Sequence, residues 1–488
     1  MHKKFSLNDP IWKYFYAISA IPRVSKNERQ VIQYIKNVFV RHQIMTEIDE
    51  AGNLMAKIQP SKGFEKEPII ILQAHADMVA VKSATSNHNF DNNPIVPLYK
   101  NGYLYAKETN LGADNASGVA IIMALATDKS YRHGPLEIII TTQEEIGLIG
   151  AKNINSNFIR GQYLINFDSS NKNITIGCNG AVQIDAKLKL KKIQIPSHKV
   201  IMSIKLFDLL GGHSAQQAKF NHLNAFKGMG YILFNLKSCF DLNLINFLSS
   251  SIEMQIPTSC CAFIAIDKRD VLKIKAKINI IYKQLKEIYR VENHIQLSVN
   301  MVKKTDAQMI ATSDSMAIIN LIYTLPDGQQ TFNILYQKTE CSSNIESIYL
   351  TNQNCRIAIK CRALFESQKF QLCNQIAQII KSSNGEVDIS NNTKGWPIET
   401  KDNNFGLAFQ KFLKNEFKKI LSFTFSSGGL EPAVLIDKIP TIVGAFSYGA
   451  ENLNPHSISE KLNVASVYDV ISEMKNFLAH IKKYKKFK

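Results

Sequence analysis

The chain has 488 residues, of which 45% are hydrophobic and 20% are charged. This composition is typical of a globular protein and excludes a disordered, collagen-like or coiled-coil chain, while the length predicts two domains. The formal net charge is +17. Because the lysines are scattered and no aromatic and basic recognition motif accompanies them, we expect no nucleic-acid partner.

The cysteine pattern and the hydropathy indicate where the protein works. The eight cysteines include no Cys-x-x-Cys pair and no Cys/His spacing suited to zinc. The N-terminal segment has no apolar signal core, and no apolar run approaches the ~18 residues of a membrane span. We therefore expect a cytoplasmic protein with reduced thiols and no membrane partner.

The first ~180 residues alternate helical patterns with short apolar runs, as an α/β sheet requires. Helices are predicted at 12–18, 28–40 and 119–126. Buried parallel strands are predicted at 69–72, 136–140 and 163–167.

After residue 180 the pattern changes to the alternating strands of an antiparallel sheet. Strands are predicted at 182–190 and 200–207, and a helix at 271–289. A helix at 405–420 and a strand at 439–443 complete the C-terminal part. We therefore predict an α/β domain with a mixed, mostly parallel sheet, made of residues 1–184 and 393–488 and interrupted by an α+β domain at 185–392.

Side chains of the metal-binding type follow the three predicted parallel strands. They are His75, Asp77, Glu144, Glu145 and Asp168. Ligands gather beyond the carboxyl ends of such strands. Asp114 adds a carboxylate just before the predicted helix at 119–126, so the pattern predicts a dinuclear metal site.

Each of these motifs is weak alone. His-x-Asp is common without function, adjacent glutamates usually form a solvated turn, and Asp114 and Asp168 could be helix caps. His456 could be a surface-loop histidine. Together, however, His75, Asp114, Glu145, Asp168 and His456 form a mixed nitrogen and oxygen set that suits Zn²⁺, with Mn²⁺ or Co²⁺ as alternatives.

The motifs resemble those of the dizinc aminopeptidase/carboxypeptidase/aminoacylase superfamily, and more closely its aminoacyl-histidine dipeptidase branch, the cytosol non-specific dipeptidases. In family order, the matching segments are YFYAISAIPR (14–23), QAHADMV (73–79), LGADN (111–115), EEIG (144–147), NFDS (166–169), GGHS (211–214) and PHS (455–457). The resemblance implies a zinc-peptidase-like catalytic domain with an inserted lid domain. It also implies a homodimer formed through the lid.

The resemblance assigns roles residue by residue. Asp114 bridges two divalent metal ions, of which one is bound by His75 and Asp168 and the other by Glu145 and His456. Asp77 orients His75, and Glu144 is the general base that later protonates the leaving amine.

In the lid domain, the resemblance implies that His213 stabilises the oxyanion, that Arg362 binds the substrate carboxylate and that Asn344 lies near the substrate. From the residues alone, Gly-Gly-His-Ser is equally readable as a simple loop, and Arg362 as a surface arginine. The chain departs from the family at Ala215, Gln217 and His222, and at Ser427 where relatives have histidine. These changes spare every proposed metal ligand but put substrate preference and lid contacts in doubt.

The predicted function is hydrolysis of Xaa-His and other dipeptides by a metal-bound hydroxide, with a glutamate as general base. Two alternatives stay open at this point. One is an amide hydrolase of the same superfamily that acts on acyl-amino acids or longer peptides. The other is a catalytically weakened relative that binds metal without turnover.

Overall fold

The computed structural model describes residues 5–249, 254–303, 307–398 and 404–484. The chain divides into two compact units. Unit 1 comprises Met1–Cys178, Trp396–Ser426 and Leu430–Lys488, and unit 2 comprises Asn179–Gly395 and Ser427–Gly429. These divisions differ by a few residues from the predicted boundaries at 184 and 392, and the catalytic and lid roles of the two parts stay predictions.

The described residues form helices and strands along the whole chain. In chain order, the helices are α1 (Pro10–Ser19), α2 (Arg29–Arg41), α3 (Ala113–Thr127), α4 (Ile149–Lys152), α5 (Ala225–Lys237), α6 (Val271–Ile288), α7 (Thr312–Thr324), α8 (Glu366–Ser382), α9 (Asn404–Phe417), α10 (Glu431–Lys438) and α11 (Val464–Ala479). The strands are β1 (Met45–Ile48), β2 (Leu54–Ile58), β3 (Ile70–His75), β4 (Leu98–Lys100), β5 (Tyr103–Tyr105), β6 (Leu136–Thr141), β7 (Tyr163–Asn166), β8 (Ile174–Cys178), β9 (Gly180–Lys189), β10 (Lys192–Gln194), β11 (Lys199–Phe207), β12 (Leu242–Ser249), β13 (Cys260–Asp267), β14 (Gln296–Val302), β15 (Gln308–Ile310), β16 (Gly328–Asn333), β17 (Lys338–Leu350), β18 (Asn354–Ala363), β19 (Glu386–Thr393), β20 (Phe423–Ser426), β21 (Gly444–Ser447), β22 (Asn452–Leu453) and β23 (Lys461–Asn463).

The main sheet of unit 1 has the strand order β1-β2-β6-β3-β7-β21-β8-β20. Strand β3 runs parallel to β6 and β7, β7 runs parallel to β21, and β8 runs parallel to β20. The pairs β1–β2, β2–β6 and β8–β21 are antiparallel. The sheet confirms the predicted α/β class with a mixed, mostly parallel arrangement.

The three central strands of this sheet bury all of their residues, as the apolar runs in the sequence predict. Strands β3, β6 and β7 contain no exposed position, which is typical of parallel strands covered by helices on both faces. Helix α3 is likewise buried over most of its length and packs against β3 and α1. This buried layer fixes the strand ends that carry the candidate ligands.

Unit 2 is built from antiparallel sheets and helices. A five-stranded sheet has the order β16-β17-β18-β9-β19, and a four-stranded sheet has the order β12-β13-β11-β14. Burial alternates along β9 and β11, so each of these strands has one face in the core. Helices α5 to α8 complete that core. The α+β prediction for this part of the chain is confirmed.

One predicted element is wrong. The strand expected at 439–443 is instead the turn that follows α10, and the strand β21 begins only at Gly444. Pro440 lies inside the predicted stretch and cannot donate a backbone hydrogen bond to a sheet ladder. The apolar residues there contribute to a small cluster through Ile439 and Ile442, which explains their hydrophobic pattern.

All eight cysteines are free thiols, and Cys239 is the exposed one. Burial raises the pKa of the Cys178 thiol to about 12, so this buried thiol is unreactive at neutral pH. Within the described ranges, no helix is both long enough and apolar enough to cross a membrane.

Candidate metal centre

The register of the main sheet brings three chain segments to one edge. His75, the last residue of β3, pairs with Thr141 at the end of β6, and Gln73 pairs with Asn166 at the end of β7. The residues that follow β6 and β7 therefore leave the sheet beside His75. This places Glu144, Glu145 and Asp168 near the imidazole, as the sequence predicted.

Asp114 enters the same place from the start of α3. Gly112, the N-cap residue, has φ +67°, and Asp114 has non-helical φ and ψ of −83° and 103°. The peptide bond between Asp114 and Asn115 is cis. One Asp114 oxygen, Oδ1, lies 3.1 Å from His75 Nε2, and the other, Oδ2, lies 3.3 Å from His456 Nε2. A single carboxylate thus faces both imidazoles.

The side chains group into two sets that share Asp114. Potential ligand atoms of His75, Asp114 and Asp168 lie within 4.8 Å of one another, and so do those of Asp114, Glu145 and His456. His456 Nε2 is also 3.0 Å from Glu145 Oε1. Glu144 forms a further group with His75 and Glu145. All predicted metal ligands and the predicted base therefore lie in one cluster.

The carboxylate of Asp77 contacts His75, Glu144 and Glu145 of this cluster. It is fully buried, and its Oδ1 lies 3.4 Å from His75 Nδ1. The backbone N–H groups of Glu144 and Glu145 donate to its two oxygens at 3.0 and 3.1 Å, and Ser25 Oγ donates at 2.8 Å. One carboxylate therefore orients the imidazole and the turn that carries both glutamates.

The cluster concentrates negative charge, and the buried guanidinium of Arg23 interacts with Asp114 and Glu145 only through their charge. Among the described residues, no lysine or arginine forms an ion pair with Asp114, Glu144, Glu145 or Asp168. Burial, followed by the charge of Asp114, raises the pKa of Asp168 to about 7. Burial and neighbouring carboxylates also raise the pKa of Glu144 well above its ordinary value.

The carboxylates of the cluster also raise the pKa values of the two histidines, which favours their charged form. Burial lowers the pKa of His456, but hydrogen bonds with Asp114 and Glu145 outweigh burial and raise the pKa to about 11. Contacts with Asp114 and Asp77 likewise raise the pKa of His75 in spite of burial. The same contacts hold the pKa of Asp114 well below its ordinary value. The carboxylates of the cluster thus favour positive charge at the two imidazoles.

The donor set fits divalent metal ions. Two imidazoles and three carboxylates suit borderline cations such as Zn²⁺, and a cation would offset the repulsion among these half-buried acids. The candidate ligands form two sets that share Asp114, and each set could hold a metal ion.

A buried polar network lies beneath the cluster, and the sequence analysis assigned it no role. Glu431 Oε2 accepts hydrogen bonds from Gln73 Nε2 and, at 2.7 Å, from Thr141 Oγ1. Asn166 Nδ2 donates to Gln73 Oε1 at 2.6 Å, and Asn166 Oδ1 accepts from the Asp168 backbone N–H at 3.1 Å. The network therefore reaches from α10 to one of the candidate ligands.

A signal for this network was present in the sequence. Gln73 and Asn166 are polar residues inside otherwise apolar strands, and such residues need buried partners.

Three predicted residues lie in unit 2, where each has partners within that unit. His213 Nδ1 accepts from the Ala215 backbone N–H at 3.2 Å. Arg362 is buried, and its Nη1 donates to Ser214 Oγ at 3.0 Å. Asn344 donates to Gln255 O at 3.0 Å and accepts from Asn224 Nδ2 at 3.0 Å. His213 and Ser214 belong to the segment 211–214, called the His-Ser turn below, and Arg362 contacts this turn through Ser214.

Gln217 and His222, two of the departures from the family pattern, contact that turn. His222 Nδ1 is 2.6 Å from the carbonyl oxygen of Gly211, and the Gln217 backbone N–H donates to His213 O at 2.9 Å. Ser427, which is also in unit 2, contacts Thr339 O at 3.5 Å. The substituted residues therefore retain local structural contacts.

Residues 71–480 match Peptidase family M20/M25/M40. The chain belongs to this family and is a metallopeptidase, an enzyme that hydrolyses peptide bonds with the help of divalent metal ions. Fold, site composition and family membership agree on this class.

Two relatives that match nearly the full length of the chain are dipeptidases by name. The cytosol non-specific dipeptidase of Escherichia coli (strain K12) is 29% identical over 463 residues, which cover 94% of each chain. The crystal structure of aminoacylhistidine dipeptidase from Vibrio alginolyticus is 27% identical and covers 96% of each chain with a TM-score of 0.81. A tripeptidase from Staphylococcus aureus, 16% identical with a TM-score of 0.60 over 97% of this chain and 98% of that chain, shares the fold.

Proposed function

We propose that the protein is a dinuclear dipeptidase that hydrolyses dipeptides, including those with C-terminal histidine. The observation that carries this proposal is the position of Asp114, whose two oxygens face His75 and His456 separately. Two relatives over nearly the full length are dipeptidases by name, which supports the substrate class.

The grouping of donors supports a division of ligands between two ions. His75 and Asp168 would hold one ion, Glu145 and His456 would hold the other, and Asp114 would bridge them. We propose zinc as the metal because of the mixed nitrogen and oxygen donors, with manganese or cobalt as alternatives.

Two such ions, when bound, polarise a substrate carbonyl and raise the acidity of water. Glu144 is the group placed to move the proton, because its carboxylate lies in the cluster beside His75 and Glu145 but is not needed in either ligand set. It would accept a proton from the attacking water and pass it to the leaving amine. Asp77 holds the turn that carries Glu144 through the backbone N–H at 3.0 Å, so the base is fixed before substrate binds.

In unit 2, we propose that Arg362 binds the substrate carboxylate. A buried guanidinium with one N–H bonded to Ser214 retains further N–H groups in a planar fork suited to a carboxylate. His213 is proposed to stabilise the oxyanion and Asn344 to lie near the substrate, both on the basis of the family resemblance.

The test is hydrolysis of a small peptide panel by metal-stripped protein after addition of zinc, manganese or cobalt. The panel contains β-alanyl-histidine, leucyl-glycine, a tripeptide and an N-acetyl amino acid. We expect metal-dependent cleavage of the dipeptides, and a rate that falls by roughly 10²–10⁴-fold in Glu144→Gln, the usual contribution of a positioned base. The exposed Glu50 provides the control variant Glu50→Gln, which should retain the wild-type rate.

Two results would contradict the proposal. Preferential cleavage of the N-acetyl amino acid or the tripeptide would assign a different amide substrate within the superfamily. Metal binding without cleavage of any member of the panel would assign a binding protein.

The homodimer and the cytoplasmic location are also proposals, and the family resemblance supports them. Sedimentation equilibrium of the full chain should give twice the monomer mass. A monomer at micromolar concentration would contradict the dimer, and fractionation of the producing cells would test the location.

A further inference from the structure

Glu460 is a buried carboxylate close to the metal centre that none of the proposed roles uses. Its residue is 2% exposed. Oε2 accepts from the Gly112 backbone N–H at 2.7 Å, and Oε1 accepts from the Asp114 backbone N–H at 3.2 Å. Asn452 Nδ2 also donates to Oε1, at 2.8 Å. All of its described hydrogen-bond partners are donors of loops beside the site, and none is a lysine or arginine.

Arg23 contacts the same loop from the other side of the Gly112 peptide. Its residue is 1% exposed, and Nη2 donates to the carbonyl oxygen of Gly112. Nη1 donates to the carbonyl oxygens of Ala76 and Asp77 at 3.0 and 3.1 Å. The guanidinium therefore joins the loop before Asp114 to the chain that leaves β3 after His75.

Gly112 is thus held at both its N–H and its carbonyl group. Its φ of +67° is in the left-handed region, and a Cβ here would lie 2.7 Å from Arg23 Nη2 and Met78 Sδ. Arg23 thus binds the carbonyl group of Gly112, while Glu460, whose charge also acts on Arg23, binds the Gly112 N–H. The two contacts fix the backbone that aims the Asp114 carboxylate.

Glu460 also lies in the segment that supplies His456. The Glu460 backbone N–H donates to Ser457 O at 3.1 Å, so the carboxylate connects the His456 loop to the Asp114 loop. These two ligand-bearing segments are far apart in sequence. One side chain therefore sets the distance between the shared aspartate and a histidine of one ion.

We infer that Glu460 and Arg23 are positioning residues that hold Asp114 ready for both metal ions in the metal-free protein. The inference rests on the proposed dinuclear site, because only a bridging aspartate makes the effect common to both ions. Asn166 provides the contrast: it binds the Asp168 backbone N–H at 3.1 Å and so supports one ligand set only.

The test is zinc titration of the metal-stripped protein against a competing chromophoric chelator, which resolves the two binding steps. In Glu460→Gln, an amide NH₂ replaces an oxygen that accepts a backbone N–H, so two donors face each other. We expect both affinities to fall by about 10- to 100-fold, the usual effect of removing a partner of metal ligands. Asn166→Leu should weaken one step only.

Two further variants control the experiment. Glu451→Gln changes a glutamate of the same segment that binds Asn463 and Lys172 instead of the Asp114 loop, and should leave both affinities unchanged. Arg23→Lys keeps the charge but offers one nitrogen instead of a planar fork, so it should weaken both zinc-binding steps. If Glu460→Gln does not fold, the zinc affinities of Arg23→Lys test the inference in its place.

Backbone amide hydrogen exchange gives a readout that is independent of metal. Exchange at Gly112 or at Asp114 should be faster in metal-free Glu460→Gln than in the wild type, because glutamine keeps one acceptor oxygen and one of the two N–H groups loses its acceptor. Wild-type zinc affinities in Glu460→Gln, or loss of one step only, would overturn the inference. A wild type that binds a single ion would instead refute the dinuclear proposal, and Glu460→Gln should then still weaken that single step.

Discussion

The candidate metal centre of unit 1 and the His-Ser turn of unit 2 use polar residues in opposite ways. In unit 1, half-buried carboxylates gather without an ion pair to lysine or arginine among the described residues, and their charge raises the pKa of His75 and His456. In unit 2, His213, Asn344 and Arg362 bind neighbouring polar groups of the same unit. The first arrangement suits cations, whereas the side chains of the second are held by contacts within their own unit.

The comparison assigns separate tasks to the two regions. Changes in the cluster of unit 1 should alter metal binding and therefore every substrate alike. Changes in unit 2 should alter the choice or affinity of substrate and leave the ions in place. Each of the following experiments tests one side of that division.

The largest effect is expected from Asp114→Asn. Loss of the shared carboxylate should remove both ions and lower dipeptide hydrolysis by roughly 10³-fold or more, because the ions supply the Lewis acid and the activated water. Metal content by mass spectrometry and initial rates measure the two results. Asp327→Asn, the same change at an aspartate of unit 2, should keep the wild-type metal content.

Gly112→Ala should have the next largest effect. The new Cβ meets Arg23 Nη2 and Met78 Sδ at 2.7 Å in a backbone with φ +67°, so both crowding and left-handed geometry destabilise the fold, by about 2–4 kcal/mol together. Gly102 has φ +86° but nothing within 4 Å of a Cβ. Gly102→Ala should therefore cost only about 1 kcal/mol. Equal unfolding free energies for both variants in urea would contradict the crowding.

Arg362→Lys tests the substrate side of the comparison. We expect kcat/KM for leucyl-glycine to fall by roughly 10- to 100-fold, because an ammonium cannot reproduce the paired hydrogen bonds of the guanidinium. The C-terminal amide of the same dipeptide should be hydrolysed equally slowly by both proteins. Bound metal should not change, and a loss of metal from this variant would break the division between the units.

The smallest expected effect is a pH dependence of the stability of unit 2, which Asp327→Asn also tests. Burial raises the pKa of Asp327 to about 6, against the hydrogen bonds and the nearby Lys227 that lower it. The unfolded chain releases this proton near pH 4, so the folded state loses stability as the pH rises from about 4 to about 6. Asparagine keeps the Oδ1 acceptor for Asn224 and Ile345.

The unfolding free energies of the wild type and Asp327→Asn should therefore be similar near pH 4, diverge between about pH 4 and pH 6, and differ by a constant amount above pH 6. The variant should be more stable there by about 1–2 kcal/mol. Urea unfolding at a series of pH values measures the difference. A constant difference across this pH range would show that Asp327 ionises normally.

Much of the fold was accessible from the sequence because the strands of unit 1 are buried on both faces. Continuous apolar runs mark such strands, and β3, β6 and β7 lie where those runs predict. The failure at 439–443 has a local cause, since an apolar stretch with Pro440 packs into a small cluster without joining a sheet. Hydrophobicity indicated burial there but not the type of structure.

The candidate site was predictable where ligands follow strands and unpredictable where backbone contacts hold them. His75, Glu145 and Asp168 follow a strand, so local pattern and family resemblance both point to them. Glu460 acts through hydrogen bonds with the Gly112 and Asp114 backbone, and no spacing in the sequence encodes a contact between such distant segments. Candidate ligands at strand ends are therefore easier to predict than buried side chains that bind the backbone beside them.

The central claim is that two divalent ions bound around Asp114 make the protein a dipeptidase. The most direct test is to add zinc stepwise to metal-stripped protein and to measure bound zinc per chain and leucyl-glycine hydrolysis in the same samples. The account predicts that the rate reaches its maximum as binding saturates at two zinc ions per chain, with Asp114→Asn inactive throughout. Full activity with one ion, or with none, would contradict it.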